Sequence, residues 1–570
     1  MRGMRDGKDN ANPDRNRVVT AWRLPLLRWL PLLLPALLAF AALLPLLQAG
    51  YVADDWAILA LVRHGATPLE YYFADHTATY SYRPNGMLAW YLVAAAFGDA
   101  ALPQYVVQIA IHALNAALLA LLLLRLGCTR WTALLIGSVF ALHPAAVATA
   151  AWLADRFDLL AVNGCLLLLL AVHAWIRRGS ASAVCAIALA AAWAIGAKET
   201  AIVALPVTLA WVLLGRRPHR LIPMLAATLP FIAALGLRWW TFGGSGLDKV
   251  AGEPLQPLQL VFGIGYWLWR LPEALLRMPP LAMTTLLGEA ILLLLILGNA
   301  RQCQRALGHR HTSRGLNACL LSFAGVALLL LPALPQAPVA ALVLGGGEPL
   351  AIAVNHRFYY LALIGLGLCL APILDRLAEI GWRRSLVVAT ALLAIAWLVG
   401  DWRHATHLRQ SSAGPGRMQL VEAIADAARA HATKPACLIY LDGLPPGNSD
   451  VQAYIDLVAK SQLDRESEAM SCIVLGNTRS TFALVADTAE SAPLVARIPL
   501  RQLDGARLAP RPVMNGRLRV IFPDAISPGQ IDDLPNSCLL RWNGHAFDPN
   551  CAHAAPAAAT QRPGGLNAGF

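Results

Sequence analysis

Long apolar runs separated by short polar loops dominate the first 400 residues. A helix needs about 20 apolar residues to cross the hydrocarbon layer of a bilayer. We predict eleven membrane-spanning helices, at residues 24–48, 103–126, 131–150, 159–176, 181–197, 200–215, 221–240, 280–299, 316–335, 357–375 and 385–400. A further stretch, Val261–Met278, carries charged residues at near-helical spacing. We expect it to form an amphipathic helix at the membrane interface.

The composition supports this pattern. Apolar residues make up 57% of the chain and charged residues 14%, against about 45–50% and 25% in ordinary soluble domains. The mean hydropathy is +0.53. The net charge of +12 lies within residues 1–400, where basic loops are typical of membrane topology rather than of nucleic-acid binding. We therefore predict a polytopic α-helical membrane protein with no nucleic-acid partner.

Loop charges predict the orientation in the membrane. Taking alternate loops as cytoplasmic places most Lys and Arg on the same side as the basic N-terminal segment 1–23. The first apolar run is too long for the core of a signal peptide, so we expect it to remain as an anchor. Residues 24–400 then form the membrane domain, with a long first outer loop at 50–102. The Ala/Leu/Arg-rich composition indicates a bacterial inner-membrane protein whose C-terminal part is periplasmic.

The C-terminal part, residues 401–552, has a different pattern. Short Val/Ile/Leu runs at Cys437–Leu441, Cys472–Leu475 and Leu518–Phe522 alternate with turn residues, which predicts a small α/β or α+β extracytoplasmic domain. Residues 553–570 are rich in Ala, Pro and Gly, and we expect a flexible tail. In an oxidising compartment Cys437, Cys472, Cys538 and Cys551 would allow two disulfides, and the sequence does not choose among the three pairings.

Ionisable residues gather at the predicted outer ends of the spans. They include Asp54 and Asp55; His76 and Arg83; Arg156 and Asp158; Lys198 and Glu199; and His356 and Arg357. Tyr82 lies next to Arg83 and adds a polar hydroxyl. Ionisable groups at a membrane are costly and are therefore candidates for function. A carboxylate can accept the proton of an acceptor hydroxyl, while Arg and Lys can neutralise a departing phosphate. The set predicts glycosyl transfer from a polyprenyl-phosphate sugar.

The order of these motifs resembles a known superfamily. The ordered set is Asp54-Asp55, Tyr82-Arg83-Pro84, His112 with Asn115, His143-Pro144, Arg156-x-Asp158, Lys198-Glu199 and Arg357-Phe358-Tyr359-Tyr360. It is similar to the GT-C glycosyltransferases, and most to the transmembrane O-mannosyltransferases that carry tetratricopeptide repeats (TMTC) and their bacterial relatives. The resemblance implies a polyprenyl-phosphate sugar donor, mannose as the first candidate sugar, and a catalytic base in the acidic pair. No repeat of about 34 residues follows the spans, so the acceptor does not carry over.

Each candidate residue has an expected role. By the resemblance, Asp54 matches the leading acid of the pair. Adjacent residues point to different sides of a helix or strand, so the two acids are not expected to serve equally, and we favour Asp54 as the base and Asp55 as an acceptor or metal contact. The other outer residues named above are expected to bind substrate. Structural alternatives are an ion pair of Arg156 with Asp155 or Asp158, and neutralisation of Lys198 by Glu199. We expect His112 and Asn115 to make an interhelical hydrogen bond and His143-Pro144 to end the third span.

Metal chemistry is not favoured, and no cofactor is expected. Two aspartates with His76 could hold a divalent cation, but the sequence shows no close ligand spacing. It also contains no P-loop, GxSxG or HExxH motif. Two other functions remain open: an O-antigen ligase or polymerase using a diphosphate-linked glycan, and a flippase or transporter, which would carry charges near the bilayer midplane. The expected partners are the lipid-linked donor, an extracytoplasmic acceptor of unknown class and the bilayer.

Overall fold

The membrane part is built from helices. The computed structural model describes residues 24–52, 54–64, 67–73, 82–215, 217–242, 256–276, 282–308, 312–345 and 356–410, with shorter segments between 436 and 550. The helices are α1 (Leu24–Leu43), α2 (Asp54–His64), α3 (Glu70–Phe73), α4 (Pro84–Phe97), α5 (Ala101–Arg125), α6 (Arg130–Leu142), α7 (Pro144–Ala151), α8 (Arg156–Arg178), α9 (Ala181–Ala197), α10 (Ala204–Leu214), α11 (Leu221–Phe242), α12 (Pro257–Trp269), α13 (Leu271–Leu276), α14 (Ala282–Gly308), α15 (Ser313–Leu330), α16 (Ala333–Gly345), α17 (Tyr360–Leu377) and α18 (Arg383–Gln410). Short 3₁₀ turns lie at Leu44–Gln48, Leu153–Asp155, Glu199–Val203 and His356–Tyr359.

Seven stretches of the described residues are long and apolar enough to cross a membrane. They are Trp29–Gln48, Ala101–Arg125, Leu153–Arg178, Leu221–Thr241, Met283–Gly308, Ser313–Pro338 and Tyr360–Gln410. The pair α6 and α7, bent by 51°, makes an eighth if it is one span, and α9 and Glu199–Leu214 are shorter apolar helices. The protein is thus a multi-pass membrane protein. The number of eleven crossings stays a prediction.

The bend between α6 and α7 has a local cause. Pro144 at the first turn of α7 has no N–H to donate, and the His143 Nδ1 accepts the Ala145 N–H at 3.1 Å as the helix cap. The His143 Nε2 also lies 3.0 Å from the Leu275 carbonyl oxygen. α6 therefore ends at Leu142, as the His143-Pro144 pair predicts.

α17 and α18 run in opposite directions along α6. Four contacts with α6 and its flanking residues set these directions: Phe140–Tyr360 and Thr129–Asp375 for α17, and Trp131–Arg383 and His143–Trp397 for α18. The reversal lies near Gly381, whose φ of 99° is open to glycine but costly for other residues. The stretch of 51 residues therefore contains two antiparallel legs.

The two ends of the helix bundle differ in chemistry. One end, which we call the basic end, carries Arg125, Arg177 and Arg217, and the Arg217 Nε donates to the Ile176 carbonyl at 2.9 Å. The opposite end, which we call the site end, carries the beginnings of α2, α4 and α8. Which end faces the cytoplasm stays a prediction.

The C-terminal part contains β-strands with a hydrophobic cluster of their own. The described elements are β1 (Ala436–Asp442), β2 (Ser471–Gly476), β3 (Ala483–Ala486), α19 (Ser491–Val495), β4 (Gln502–Leu503), β5 (Ala506–Arg507), β6 (Arg511–Val513), β7 (Leu518–Ile521), β8 (Ser537–Trp542) and β9 (Phe547–Asn550). One sheet has the order β2-β1-β8-β9, with β1 parallel to both neighbours, and a second has the order β3-β7-β6. The three predicted apolar runs coincide with β1, β2 and β7. The extracytoplasmic location stays a prediction.

Candidate active site

The acidic pair at the start of α2 divides into one buried and one exposed residue. Asp55 has no exposed surface, whereas Asp54 is exposed. The Asp55 Oδ2 accepts the Val52 N–H at 3.0 Å, and its Oδ1 accepts the Ala154 N–H at 2.7 Å. Burial raises the pKa of Asp55 well above its usual range, against these two hydrogen bonds, which lower it. Asp55 thus caps α2 and fastens it to the turn before α8, while Asp54 remains at the surface.

Arg83, at the start of α4, forms a bidentate pair with Glu199. The Nε lies 3.1 Å from Oε2 and the Nη2 lies 2.8 Å from Oε1, a geometry in which two hydrogen bonds fix the guanidinium plane. The guanidinium carbon also lies 5.2 Å from the centre of the Phe157 ring. Burial raises the pKa of Glu199, but the charge and hydrogen bonds of Arg83 together with the charges of Lys198 and Arg238 lower it more, so the pKa falls below the usual range.

Lys198 is paired with Asp158 inside the protein. The Nζ lies 2.6 Å from Oδ2, and the side chains are 5% and 8% exposed. The ammonium is 5.8 Å from the centre of the Phe358 ring. Lys198 has an extended backbone (φ −161°, ψ 144°) between α9 and the turn Glu199–Val203. Lys198 and Glu199 can therefore serve different partners, Asp158 for the lysine and Arg83 for the glutamate.

Arg156 points into the protein and binds α5. It has no exposed surface. Its Nη1 donates to the Gln104 Oε1 at 2.6 Å, its Nη2 to the Gln104 carbonyl at 2.8 Å and its Nε to the Gln108 Oε1 at 3.2 Å. The guanidinium carbon lies 4.5 Å from the centre of the Trp90 ring. These contacts join the start of α8 to α5 and do not present Arg156 to an open surface.

The remaining predicted residues are only partly described. Tyr82 is buried, and its hydroxyl donates to the Tyr72 carbonyl at 3.0 Å. His76 lies outside the described residues. His356 and Arg357 begin the turn His356–Tyr359 at the start of α17, and their side chains lie outside the description. The structure therefore brings the first-loop acids, Arg83, the start of α8 and the Lys198-Glu199 pair to one end of the bundle.

Arg238 is a cation at this end that the sequence reasoning missed. It is half-buried near the end of α11, close enough to Glu199 to lower the pKa of that carboxyl. The next two residues, Trp239 and Trp240, are each 64% exposed. Arg238 falls inside the predicted span 221–240 and was therefore not among the predicted site residues. Its position near the end of that span, beside two tryptophans typical of a membrane interface, was the available signal.

A polar network buried in the membrane part joins α5, α6, α8 and α17. The His112 Nδ1 lies 2.8 Å from the Tyr360 hydroxyl and the Nε2 lies 3.1 Å from the Ala141 carbonyl oxygen. The Asn115 amide donates to the Leu159 carbonyl at 2.9 Å. These are the interhelical hydrogen bonds expected of His112 and Asn115, and the Asn115 bond holds α8 at Leu159, the residue after Asp158.

Among the described residues, no group of three or more His, Cys, Asp or Glu side chains is placed to hold a metal ion. Both oxygens of Asp55 accept backbone N–H groups, so its contacts here are with the chain itself. Metal independence stays a prediction.

Comparison with known proteins gives distant structural likenesses. No protein-family model matches the sequence, and no curated protein matches it. One similar structure is the archaeal oligosaccharyltransferase AglB from Archaeoglobus fulgidus in complex with an inhibitory peptide and a dolichol-phosphate, with a TM-score of 0.43 and 11% identity over 82% of this chain and 70% of that chain. Another is ArnT from Cupriavidus metallidurans bound to undecaprenyl phosphate, with a TM-score of 0.35 and 14% identity over 85% of this chain and 96% of that chain. Both TM-scores lie below 0.5, so these likenesses carry no functional argument.

Proposed function

We propose that the protein is a GT-C-like membrane glycosyltransferase that moves a sugar from a polyprenyl-phosphate donor to an extracytoplasmic acceptor. One observation carries the proposal. Asp55 fastens the start of α2 to the turn that begins α8, so the exposed Asp54 lies at the same end as the pair of Asp158 with Lys198. A base and several cations gathered at one end of a membrane bundle suit transfer from a lipid phosphate.

Asp54 is the proposed general base. It takes the proton of the acceptor hydroxyl as the acceptor oxygen bonds to the anomeric carbon. The bond from that carbon to the phosphate oxygen breaks, and the lipid phosphate leaves with the electron pair. General-base assistance of this kind contributes about 10²–10⁴-fold in rate. Asp55 and Arg156 are positioning residues in this proposal, since their polar atoms are taken up by the chain.

The cations of the site end are the proposed phosphate contacts. Arg83 and Lys198 are held in place by Glu199 and Asp158, so their side chains are ordered before the lipid binds. The apolar stretch Leu221–Thr241 of α11 is mostly exposed on the outside of the bundle, with only 17% of it buried. Arg238 is half-buried near the end of this helix. A lipid phosphate arriving from the bilayer would therefore meet Arg238 first. His76, Tyr82, His356 and Arg357 remain proposed substrate contacts.

The setting of the reaction completes the proposal. We place the protein in a bacterial inner membrane with eleven crossings, a cytoplasmic N-terminus and a periplasmic C-terminal domain that holds or selects the acceptor. No cofactor is required. Mannose is the first sugar to test.

Release of lipid phosphate from labelled polyprenyl-monophosphate sugars by the purified protein tests the proposal. The wild-type protein should release it, and Asp54→Asn should reduce release at least 100-fold, the lower bound for losing a general base. Asp99→Asn is the matched control, because Asp99 is an acid of the same long loop, in the turn between α4 and α5. Equal activity of Asp54→Asn and wild type would end the assignment of the base. Release only from diphosphate-linked glycans would favour the ligase or polymerase.

A further inference from the structure

Two cysteines on neighbouring helices are in contact near the basic end of the bundle. Cys303 lies on α14 and Cys319 on α15, and their Sγ atoms are 3.0 Å apart. No disulfide joins them in this structure. The S–S bond of a disulfide is about 2.05 Å long, so a movement of about 1 Å would join the two sulfur atoms.

The local fold holds the two thiols at the same level. α14 ends five residues after Cys303, and α15 begins six residues before Cys319. At about 1.5 Å per residue, the two positions lie about 7.5 and 9 Å from the connection between the helices. The carbonyl of Leu320 accepts the indole N–H of Trp211 at 3.1 Å, and Trp211 stands six residues before Arg217 of the basic end. The contact between the cysteines is therefore built into the packing of this end.

The two cysteines differ in access. Cys319 has no exposed surface, whereas Cys303 is half-buried. Cys303 stands between Arg301 and Arg305, which are both exposed. Arginines flanking an apolar span are typical of the part of a membrane helix that reaches water. A water-soluble reagent therefore reaches Cys303 before Cys319.

We propose that Cys303 and Cys319 form a redox-active pair that closes to a disulfide when the solution at the basic end becomes oxidising. Cys303 is the thiol that reacts first, and Cys319 is the resolving thiol. The co-reactant is a small water-soluble disulfide, and the exposed arginines beside Cys303 favour an anionic one such as glutathione disulfide. The loop charges predict that the basic end faces the cytoplasm, where thiols are kept reduced. The bridge then forms only when that compartment becomes more oxidising.

The oxidation takes two exchange steps. The Cys303 thiol loses its proton, and its thiolate attacks one sulfur of glutathione disulfide; a mixed disulfide forms and one glutathione thiolate leaves. The Cys319 thiol then loses its proton, and its thiolate attacks the Cys303 sulfur; the protein disulfide forms and the second glutathione thiolate leaves. The two leaving thiolates take up the two protons. The protein is oxidised by two electrons, and the glutathione disulfide is reduced by the same two.

The bridge would restrain α14. Only 28% of the apolar stretch Met283–Gly308 is buried, compared with 56% of the stretch Ser313–Pro338 that contains α15. α14 is the less firmly packed of the two helices, so a covalent link to α15 limits its movement at the basic end.

Peptide mapping of the full-length protein in glutathione buffers tests the proposal. The purified protein is equilibrated with rising proportions of glutathione disulfide, blocked with N-ethylmaleimide under denaturing conditions and digested without reduction. Trypsin places Cys303 on peptide 302–305 and Cys319 on peptide 315–357, with no other cysteine on either. In the wild-type protein, a linked pair of these two peptides should replace both maleimide-labelled peptides as glutathione disulfide rises.

Single variants test the order of the two steps. In Cys319→Ser, glutathione should stay on Cys303 at a level at least about 10-fold above that of the wild type, because the neighbouring thiol that displaces it is missing. In Cys303→Ser, Cys319 should keep its maleimide label, because the buried thiol is out of reach. Cys185→Ser is the matched control, since Cys185 is exposed on another helix, α9, and it should leave the linking of Cys303 to Cys319 unchanged.

Four results would overturn the proposal. They are glutathione retained on Cys303 of the wild-type protein, maleimide on Cys303 at every proportion of glutathione disulfide, a link from Cys303 to a different cysteine, and glutathione on Cys319 in Cys303→Ser. The mapping needs no sugar donor, so its outcome is independent of the proposed glycosyl transfer.

Discussion

Replacing Lys198 by Met removes the cation that hydrogen-bonds Asp158 inside the protein. The two groups lie 2.6 Å apart with 5% and 8% of their side chains exposed. Removing one member of a buried ion pair costs about 3–5 kcal/mol, because the other charge stays buried without compensation. Lys198→Met should therefore lower the free energy of unfolding by about that amount.

The double variant Asp158→Asn/Lys198→Met separates stability from activity. It leaves no uncompensated charge, so most of the lost stability should return, since neutral replacement of a whole buried pair is often close to neutral. In a double-mutant cycle the double variant should therefore be more stable than the sum of the two single losses predicts, by at least about 3–5 kcal/mol, the loss in one single variant. Activity should not return, because Lys198 is a proposed phosphate contact.

Two measurements check this reasoning. Unfolding in mixed micelles of detergent and SDS gives the free energies for the wild type, both single variants and the double variant. Release of lipid phosphate gives the activities. If Lys198→Met unfolds with the wild-type free energy, the pair of Lys198 with Asp158 does not stabilise the folded protein as a buried ion pair should. If the double variant transfers sugar at the wild-type rate, Lys198 is structural and its role at the phosphate is refuted.

Further predictions use the same two assays. Asp55→Asn should lower the free energy of unfolding by about 1–3 kcal/mol, because one of the two backbone N–H groups loses its acceptor. The exposed Asp54 should matter less, and Asp54→Asn should change the free energy of unfolding by no more than about 0.5 kcal/mol; equal losses of stability would contradict the division of the acidic pair. Gly86→Ala should cost about 1–3 kcal/mol, because a Cβ there would overlap the Phe157 ring, while Gly236→Ala, where a Cβ meets no atom within 4 Å, should cost nothing. Since the pKa of Glu199 is lowered, its pair with Arg83 stabilises the protein above the unfolded-state pKa of about 4.3. The difference in the free energy of unfolding between wild type and Glu199→Gln should stay constant from pH 8 to 5 and shrink as the pH falls below about 4. A difference that already shrinks between pH 8 and 6 would contradict the lowered pKa of Glu199.

The sequence predicts the helices well because their cause is local. An apolar run of sufficient length must form a helix in a bilayer to satisfy its backbone hydrogen bonds. The predicted spans overlap apolar helices among the described residues, although those at 181–197 and 200–215 are shorter than a membrane crossing requires. The break at His143-Pro144 is also largely local, since Pro144 has no N–H to donate and the neighbouring His143 ring accepts the Ala145 N–H as the cap of α7. The division of Asp54 from Asp55 also follows from a local rule, the different directions of adjacent side chains.

The partners of the charged residues lie far apart in the chain and could not be predicted. Arg83 pairs with Glu199, a residue 116 positions away. Arg156 binds Gln104 rather than the neighbouring acids. The two glutamines of α5 carry no charge, and the sequence prediction rests on ionisable residues, so it does not include them. The same local rule that divides Asp54 from Asp55 applies to Lys198 and Glu199, where proximity in the sequence suggested mutual neutralisation instead.

The pairing of acids with cations at the site end bears on how the proposed reaction would be driven. A sugar linked to a lipid through a phosphodiester carries one negative charge, whereas the released phosphomonoester carries about 1.5–2 at pH 7. Glu199 already neutralises the charge of Arg83, and Asp158 that of Lys198. The single negative charge of the donor phosphate therefore gains little additional electrostatic stabilisation from these two cations. The additional negative charge that develops on the leaving phosphate is stabilised more strongly by these cations. Because only interactions that strengthen in the transition state raise the rate, this difference favours transfer. The proposed site would therefore hold lipid monophosphate more tightly than its sugar-linked donor, and in competition assays the released lipid should inhibit transfer at concentrations below those at which the donor saturates.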